Sequence, residues 1–254
     1  KKNKFLHEVI SLTKNKSLLY KFRKNNIRVH FLNFKKYSFN IFKIFKIISL
    51  IKKINPKLIC SWMYHAIFIS ILIKKFINKK NIWLIRHGNF NNKHSKKITL
   101  FLKKIIKKFS IFPEKILYCS HSSKSIHIKE GFSESNTKVI VNGVDTNKFK
   151  FNKKFKKILR QEFKIPQNYF VIGMVGRYHP QKNHEQLLRV LNREEIKKNY
   201  IAVVLIGKNI KKIRSKIINR SKKHKFYLIN ERQDIHKFYS MFDLHISTSS
   251  FGES

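Results

Sequence analysis

The chain has 254 residues, of which 57 are Lys or Arg and 13 are Asp or Glu, so its formal net charge is +44. A hydrophobic content of 42% suffices for two compact domains, and no apolar run approaches the roughly 20 residues of a membrane-spanning helix. The lysine excess comes with many Asn, Ile and Phe along the whole chain, which indicates a general compositional bias and not a selected nucleic-acid patch.

The first half of the chain alternates helices with strands. The spacing of apolar residues predicts an opening helix over residues 4–24, with Phe5 and Leu18 among its core positions, and then a strand from Ile27 to Phe34. An α/β domain ordinarily begins with a strand and a Gly-rich turn before its first helix, so we expect the start of this domain to be missing. Later helices are predicted over Ile41–Ile54, Tyr64–Lys79, Lys96–Phe109 and Ser122–Glu130, and strands over Lys57–Trp62, Asn81–Ile85, Lys115–Ser120 and Lys138–Val141.

The second half begins where the composition becomes polar and basic after Asp145. We place a domain boundary there, which divides the chain into residues 1–147 and 148–254. Strands are predicted over Phe170–Val175, Ile201–Ile206, Phe226–Ile229 and Asp243–Ser247, with helices over Lys154–Phe163, Ile210–Arg220 and Gln233–Met241 and another that begins near Lys182. The alternation predicts two α/β domains with parallel sheets and right-handed crossovers.

The segment from Phe170 to Lys182 carries the site prediction. Its apolar run predicts a strand buried on both faces, which ends at Gly176 and Arg177 shortly before the helix pattern. A strand, a short turn with a small residue and a helix N-terminus favour an anion site. Arg177 can bind phosphate through two N–H groups and Lys182 adds a point charge, so the pattern predicts a diphosphate ligand.

Metal and redox chemistry find little support in the sequence. Cys60 and Cys119 each fall late in a predicted strand, where we expect isolated buried thiols in a reducing compartment. His179 and His184 flank Lys182 without the HExxH spacing of a zinc site. We therefore expect neither a metal nor another cofactor.

Four segments together resemble the group 1 glycosyltransferases of the retaining GT-B type, which build bacterial surface polysaccharides. Residues 141–149 (VNGVDTNKF) resemble the interdomain linker of that family, and residues 173–183 (GMVGRYHPQKN) its donor-phosphate loop. Residues 231–254 resemble the segment that runs into the family's E-x7-E motif, and residues 60–66 with 85–91 resemble its acceptor-side loops. The resemblance covers nearly the whole chain and implies two Rossmann-like domains that face a cleft.

The resemblance also implies that both domains are incomplete. The second Glu of E-x7-E, which holds the ribose in the family, would lie beyond Ser254. A protein that ended at Ser254 would lack half of the donor clamp, and we expect such a protein to be inactive, whereas a chain that continued to the second Glu would be a working transferase.

Residue by residue, the resemblance assigns roles in sugar transfer. Gly176, Arg177 and Lys182 match the loop that binds the donor diphosphate, and Glu253 matches the first Glu, which faces the donor sugar. His87 is the counterpart of the acceptor-domain catalytic residue near the reacting carbon. The implied reaction moves a sugar from a nucleoside-diphosphate sugar to a glycan or lipid-linked acceptor with retention, in the cytoplasm and without a metal, because fixed cations stabilise the leaving phosphate.

Two other functions stay open at this point. The segment that contains Arg86-His87-Gly88 also resembles the histidine phosphatase signature, although that motif normally opens its domain and here follows several predicted elements. A basic nucleic-acid-binding protein is the second alternative, although no segment matches a known nucleic-acid module, and we expect no specific nucleic-acid partner.

The helices predicted over residues 41–54 and 96–109 suggest a membrane hypothesis. Their lysines could seat the first domain on an anionic inner membrane surface, as a peripheral protein; the alternative is that these lysines are merely solvated over core-facing helices. Trp62 and Tyr64 are expected to fill core space, with lining of the acceptor cleft as the alternative.

Overall fold

The structure is a computed structural model that describes residues 5–14, 18–34, 41–88, 97–217 and 221–251. It divides the chain into two units, the first comprising Lys1–Arg86 with Lys97–Ile140 and the second His87–Lys96 with Val141–Ser254. The described strands of each unit pair in parallel, which confirms the predicted α/β class with two parallel-sheet domains.

The first unit contains a two-stranded and a four-stranded sheet, and all of their strands are parallel. The strands pair in the orders β1-β2 and β3-β4-β5-β6. The strands are β1 (Glu8–Ser11), β2 (Arg28–Phe31), β3 (Leu58–Trp62), β4 (Lys80–Ile85), β5 (Lys115–Tyr118) and β6 (Thr137–Val139). The helices are α1 (Leu19–Lys24), α2 (Ile41–Ile54), α3 (Met63–Ile73), α4 (Lys97–Lys108) and α5 (His121–Lys129).

One apolar cluster joins the two sheets of this unit. Helices α2 and α3 provide most of its buried side chains, and residues of β1 and β3 pack against it. Its members include Ile44, Ile47, Ile51, Ile73, Ile10 and Ile59. Full burial of such a side chain contributes about 1.5–3 kcal/mol, so this cluster holds the short β1-β2 pair to the rest of the unit.

The opening helix predicted over residues 4–24 is wrong. Residues Glu8–Ser11 form β1, and only Leu19–Lys24 are helical. The β-branched Val9 and Ile10 pair in register with β2, and this ladder outweighs the helical spacing of the apolar residues. Two predicted core positions of that helix are instead exposed, namely Phe5 and Leu18.

The second unit contains one parallel sheet with the order β10-β7-β8-β9. Its strands are β7 (Phe170–Val175), β8 (Ile201–Ile206), β9 (His224–Ile229) and β10 (Leu244–His245), and its helices are α6 (Lys153–Glu162), α7 (His184–Leu191), α8 (Glu194–Lys197) and α9 (Ile235–Met241). Every residue of β8 is buried, as a central parallel strand requires. The helix predicted over Ile210–Arg220 is a 3-10 helix over Ile210–Lys216.

A buried ion pair ties α6 to the sheet of the second unit. Arg160 is 5% exposed, donates to backbone carbonyl groups of the loop before β7, and lies 3.1 Å from Asp243 Oδ2. Asp243 also accepts hydrogen bonds from the backbone N–H of Val171 (2.8 Å) and from Lys156 Nζ (2.6 Å). Burial acts to raise the pKa of Asp243, but these hydrogen bonds and the two nearby cations prevail and lower it. The network fixes β10 beside β7, the strand that leads into the candidate site.

Strand β3 corrects two expectations about burial. Its alternating residues Leu58, Cys60 and Trp62 are exposed, so Cys60 is not the buried thiol that we predicted, whereas Cys119 is buried. Trp62 is 54% exposed and does not fill core space, while Tyr64 is 1% exposed and does. None of the described helices combines the length and the apolar character needed to cross a membrane.

Candidate functional site

The turn that follows β7 lies at the carboxyl edge of the second sheet, where open α/β sheets place their ligand sites. The N–H of Gly176 donates to the carbonyl oxygen of Ile206 (2.8 Å), and the N–H of Tyr178 donates to that of Lys208 (2.9 Å). The turns after β7 and β8 are therefore bonded to each other along their backbones.

Gly207 makes this close approach possible. A Cβ atom at Gly207 would lie 2.1 Å from the carbonyl oxygen of Gly176 and 2.4 Å from its carbonyl carbon. No side chain fits at such distances, so any substitution would displace the turn that carries Arg177. The glycine that the sequence places at the end of β8 is thus a steric requirement of the site.

The three predicted donor-loop residues lie together on the turn after β7. A Cβ atom on Gly176 would meet Cγ, Cδ and Cε of Lys182 at 3.2–3.3 Å, so the aliphatic part of this lysine lies across the glycine. Arg177 is exposed, and its Nη2 donates to Gln181 Oε1 (3.2 Å). The structure therefore brings Gly176, Arg177 and Lys182 together, while their binding to a diphosphate stays a prediction.

The helix predicted from Lys182 begins two residues later, at His184. Residues Pro180–Lys182 form a 3-10 turn, and Asn183 ends it in the left-handed conformation (φ 46°, ψ 49°). Asparagine tolerates this conformation better than most residues. Lys182 consequently sits on a tight turn that precedes α7.

His184 is the buried first residue of α7. Its ring lies 5.7 Å from that of Tyr178, centroid to centroid. Burial lowers the pKa of His184, the charge of Lys182 lowers it further, and the carbonyl of Gly176 acts in the opposite direction. A neutral imidazole therefore packs beneath the turn and adds no charge to it.

The loop after β10 is bonded to the 3-10 turn. Thr248 Oγ1 lies 2.9 Å from the carbonyl oxygens of both Lys182 and Asn183, and the N–H of Ser250 donates to the carbonyl oxygen of Gln181 (2.9 Å). These contacts bring the Ser/Thr-rich segment against the turn that carries Lys182. Glu253, the predicted first Glu of E-x7-E, lies outside the described residues.

Lys208 is a candidate site residue that sequence analysis missed. It directly follows Gly207, is exposed, and is bonded through its backbone to Tyr178. Within the described part of the chain, no carboxylate lies within 4.0 Å of Arg177 or Lys208. Cations on neighbouring turns of one sheet edge can compensate the charge of a diphosphate. The signal was available, because Lys208 follows a glycine that closes a buried strand, as Arg177 does.

His87 lies on a separate turn, two residues after β4, and is half-buried. Its catalytic role stays a prediction. No group of three or more His, Cys, Asp or Glu among the described residues could hold a metal ion, and metal independence likewise stays a prediction.

Two family models match the chain in succession. The model described as Glycosyltransferase Family 4 matches residues 4–148, and the model described as Glycosyl transferases group 1 matches residues 155–254. No curated protein sequence matches the chain.

Several solved structures share the fold. HepE from Anabaena, in complex with UDP and glucose, superposes with a TM-score of 0.74 at 19% identity, covering 95% of this chain and 66% of that one. Sucrose-phosphate synthase from Thermosynechococcus elongatus gives a TM-score of 0.71 at 11% identity, covering 97% and 76% of the two chains. WaaG, a glycosyltransferase involved in lipopolysaccharide biosynthesis, gives 0.62 at 11% identity, covering 96% and 75%. The chain thus spans slightly less than two thirds of the length of HepE.

Proposed function

The chain belongs to glycosyltransferase family 4, and we propose that it transfers a sugar from a nucleoside-diphosphate sugar to a glycan or lipid-linked acceptor, with retention, in surface polysaccharide biosynthesis. Its C-terminal part belongs to the group 1 glycosyltransferases, and its fold is the predicted GT-B fold. The match to a lipopolysaccharide-biosynthesis enzyme supports the surface-polysaccharide role. The match to a UDP complex supports a nucleotide-sugar donor.

The observation that carries this proposal is the cationic turn after β7. Departure of a nucleoside diphosphate leaves negative charge on the phosphate, and preorganised cations stabilise that charge as it develops. Arg177 is held by Gln181, and Lys182 is held across Gly176, so both are positioned before a ligand binds. Lys208 adds a cation on the neighbouring turn. These fixed charges take the place of a divalent metal.

The remaining roles follow from the family pattern. We assign the donor to residues 148–254 and the acceptor to residues 1–147. Glu253 faces the donor sugar, and His87 lies near the reacting carbon. The acceptor attacks from the face that the nucleotide leaves, so the configuration at the transferred carbon is retained. Such an enzyme works in the cytoplasm, where nucleotide sugars are made.

Nucleotide binding tests the proposal directly. We expect UDP, ADP or GDP to bind with measurable heat in titration calorimetry, whereas the matching nucleosides, which lack the diphosphate, bind much more weakly. Comparison of the three diphosphates identifies the donor base. The proposal is refuted if none of them binds more tightly than its nucleoside.

We also propose that the first unit associates peripherally with an anionic membrane surface. The outward face of α2 carries Phe42, Phe45, Lys46, Lys52 and Lys53, and that of α4 carries Ile98, Phe101, Lys97, Lys104 and Lys108. Other side chains of these helices, buried isoleucines and a leucine, pack into the core, so the core does not account for the exposed aromatic and isoleucine residues. Exposed aromatic residues beside lysines are typical of helices that lie in a lipid interface.

Vesicle binding tests the membrane proposal. We expect the protein to co-sediment with vesicles that contain phosphatidylglycerol, but not with pure phosphatidylcholine vesicles. Salt should weaken this binding without abolishing it, since the aromatic side chains contribute a part that salt does not screen. Absence of binding to the anionic vesicles at low salt would reject the proposal.

The two alternatives from sequence fare differently. The family match over residues 4–148 includes the RHG segment and leaves the histidine phosphatase alternative without support. A net charge of +44 predicts weak, unselective and salt-sensitive binding to nucleic acid. Only binding with a sequence preference would favour a nucleic-acid function.

A further inference from the structure

Trp62 is an exposed aromatic residue at the carboxyl end of β3. The chain has two tryptophans, and Trp83 is 2% exposed whereas Trp62 is 54% exposed. The guanidinium carbon of Arg86, just beyond the adjacent strand β4, lies 5.3 Å from the centre of the Trp62 ring. A cation over an aromatic face is attracted to it, and the two side chains therefore orient each other.

The backbone around this pair is strained and locked. Met63 directly follows β3 as the first residue of α3 and has φ of 65°, a left-handed conformation that is unusual for a residue other than glycine. The N–H of Arg86 donates to Met63 Sδ (3.4 Å), which fixes the turn after β4 to the junction after β3. Backbone strain of this kind is concentrated at functional sites.

We propose that Trp62 and Arg86 form a binding platform for a pyranose ring of the acceptor. The face of a pyranose that carries axial C–H groups is apolar and slightly positive, and it stacks on the electron-rich face of an indole. The guanidinium N–H groups of Arg86 donate hydrogen bonds to hydroxyl groups of the acceptor, which accept them. This inference rests on the proposed transferase function and specifies its acceptor subsite.

The surroundings favour a sugar over an apolar partner. Leu58 and Cys60 are exposed on the same face of β3 as Trp62, so another protein segment that packs on this face is the alternative to a sugar. A purely apolar segment would bury the Arg86 guanidinium without hydrogen-bond partners, at a large desolvation cost, whereas a sugar hydroxyl supplies those partners. The platform also lies at the carboxyl edge of its sheet, where ligands of α/β domains bind.

Tryptophan fluorescence of the full chain tests the platform. The probes are methyl α-D-glucopyranoside, methyl α-D-mannopyranoside and methyl β-D-galactopyranoside. We expect at least one to change the emission of the exposed tryptophan saturably, while the buried Trp83 emission stays constant. In saturation-transfer NMR the same glycoside should lose its signal with Trp62→Ala and bind roughly three- to tenfold more weakly with Arg86→Lys.

A matched control separates the platform from exposed aromatic residues in general. Phe112 is 55% exposed in the same unit and also lies under a cation, Lys74 Nζ at 4.3 Å. Phe112→Ala should leave glycoside binding unchanged. An equal loss with Phe112→Ala and Trp62→Ala, or full binding by Trp62→Ala, overturns the proposal.

The same samples distinguish this inference from the transferase proposal. If UDP binds but no methyl glycoside perturbs Trp62, the platform is overturned and the transferase proposal stands. If octyl glucoside quenches Trp62 and methyl glucoside does not, the surface accepts apolar partners and the platform is again overturned. If no nucleoside diphosphate binds, the transferase proposal fails, while a Trp62-dependent glycoside response still establishes a sugar site.

Discussion

Replacement of Arg177 by alanine is the most direct test of the donor site. Arg177 is exposed, and among the described residues no carboxylate competes for its guanidinium within 4.0 Å. A charge-assisted hydrogen bond to phosphate contributes about 1.5–3 kcal/mol. Arg177→Ala should therefore raise the Kd for the nucleoside diphosphate by about tenfold to about 150-fold. Because solvent screens an exposed pair, the effect should fall toward the lower limit as salt increases.

Calorimetric titration with UDP, or with whichever diphosphate the chain prefers, measures this change. Arg189 provides the matched control, since it is an exposed arginine on α7 whose guanidinium also donates to a glutamine, Gln186. Arg189→Ala removes one positive charge, as Arg177→Ala does. Because the net charge of the protein is +44, this loss hardly changes its overall electrostatic attraction for the ligand, and the Kd should stay within about twofold. Arg177→Lys keeps the charge without the fork of two N–H groups and should be intermediate. Unchanged affinity in Arg177→Ala, or equal losses in Arg177→Ala and Arg189→Ala, would refute the assignment.

Further predictions concern the support of the site, acid stability and the membrane. Gly207→Ala should lower the affinity for UDP, measured by calorimetry, and the free energy of unfolding, measured by urea titration, the latter by about 1–3 kcal/mol. Gly143→Ala is the control and should change neither quantity, because a Cβ atom at Gly143 would meet no atom within 4 Å. Asp243→Asn should lower the free energy of unfolding by about 3 kcal/mol at neutral pH, because it leaves the buried guanidinium of Arg160 without its negatively charged partner. Because the pKa of Asp243 is lowered in the folded protein, its ionised carboxylate stabilises the fold at any pH above the ordinary Asp pKa. This stability is lost as the pH falls through the lowered pKa, so the free energies of unfolding of wild type and variant, measured by urea titration, should converge in acid. Phe101→Ser should weaken binding to anionic vesicles by about tenfold in sedimentation assays, while the exposed Phe151 of the second unit can be changed to serine without effect.

Sequence analysis predicts best the elements whose burial is symmetric or strictly periodic. Strands β7 and β8 have their predicted bounds. A short run of residues that are apolar on both faces is typical of a buried parallel strand and too short for a buried helix. Helix α2 also matches its predicted bounds, Ile41–Ile54, since its buried isoleucines recur at helical spacing. In such segments the local pattern and the tertiary environment impose the same structure.

The wrong predictions share a cause that lies outside the local sequence. Residues 8–11 become a strand because β2 offers a partner twenty residues further along the chain. Lys103 lies in the helix predicted over residues 96–109, whose lysines we expected either at a membrane surface or in solvent, and it is instead buried against Glu130, the residue that follows α5. The exposure of Trp62 depends on which other elements pack against β3, and the sequence of β3 itself does not indicate them. Pairing and coverage are decided between elements, so local periodicity cannot predict them.

The same distinction explains which part of the candidate site the sequence revealed. Gly176, Arg177 and Lys182 are close in sequence, and a strand followed by a tight turn brings them together whatever the rest of the sheet does. Lys208 lies some thirty residues later and reaches this turn only because β7 and β8 are neighbours in the sheet, which bonds their turns through Tyr178. In a parallel sheet the carboxyl ends of adjacent strands always meet, so knowledge of strand order alone would have added Lys208 to the prediction. A binding site of this fold is therefore predictable from sequence in pieces, each local to one turn, and strand order is the further information that assembles them.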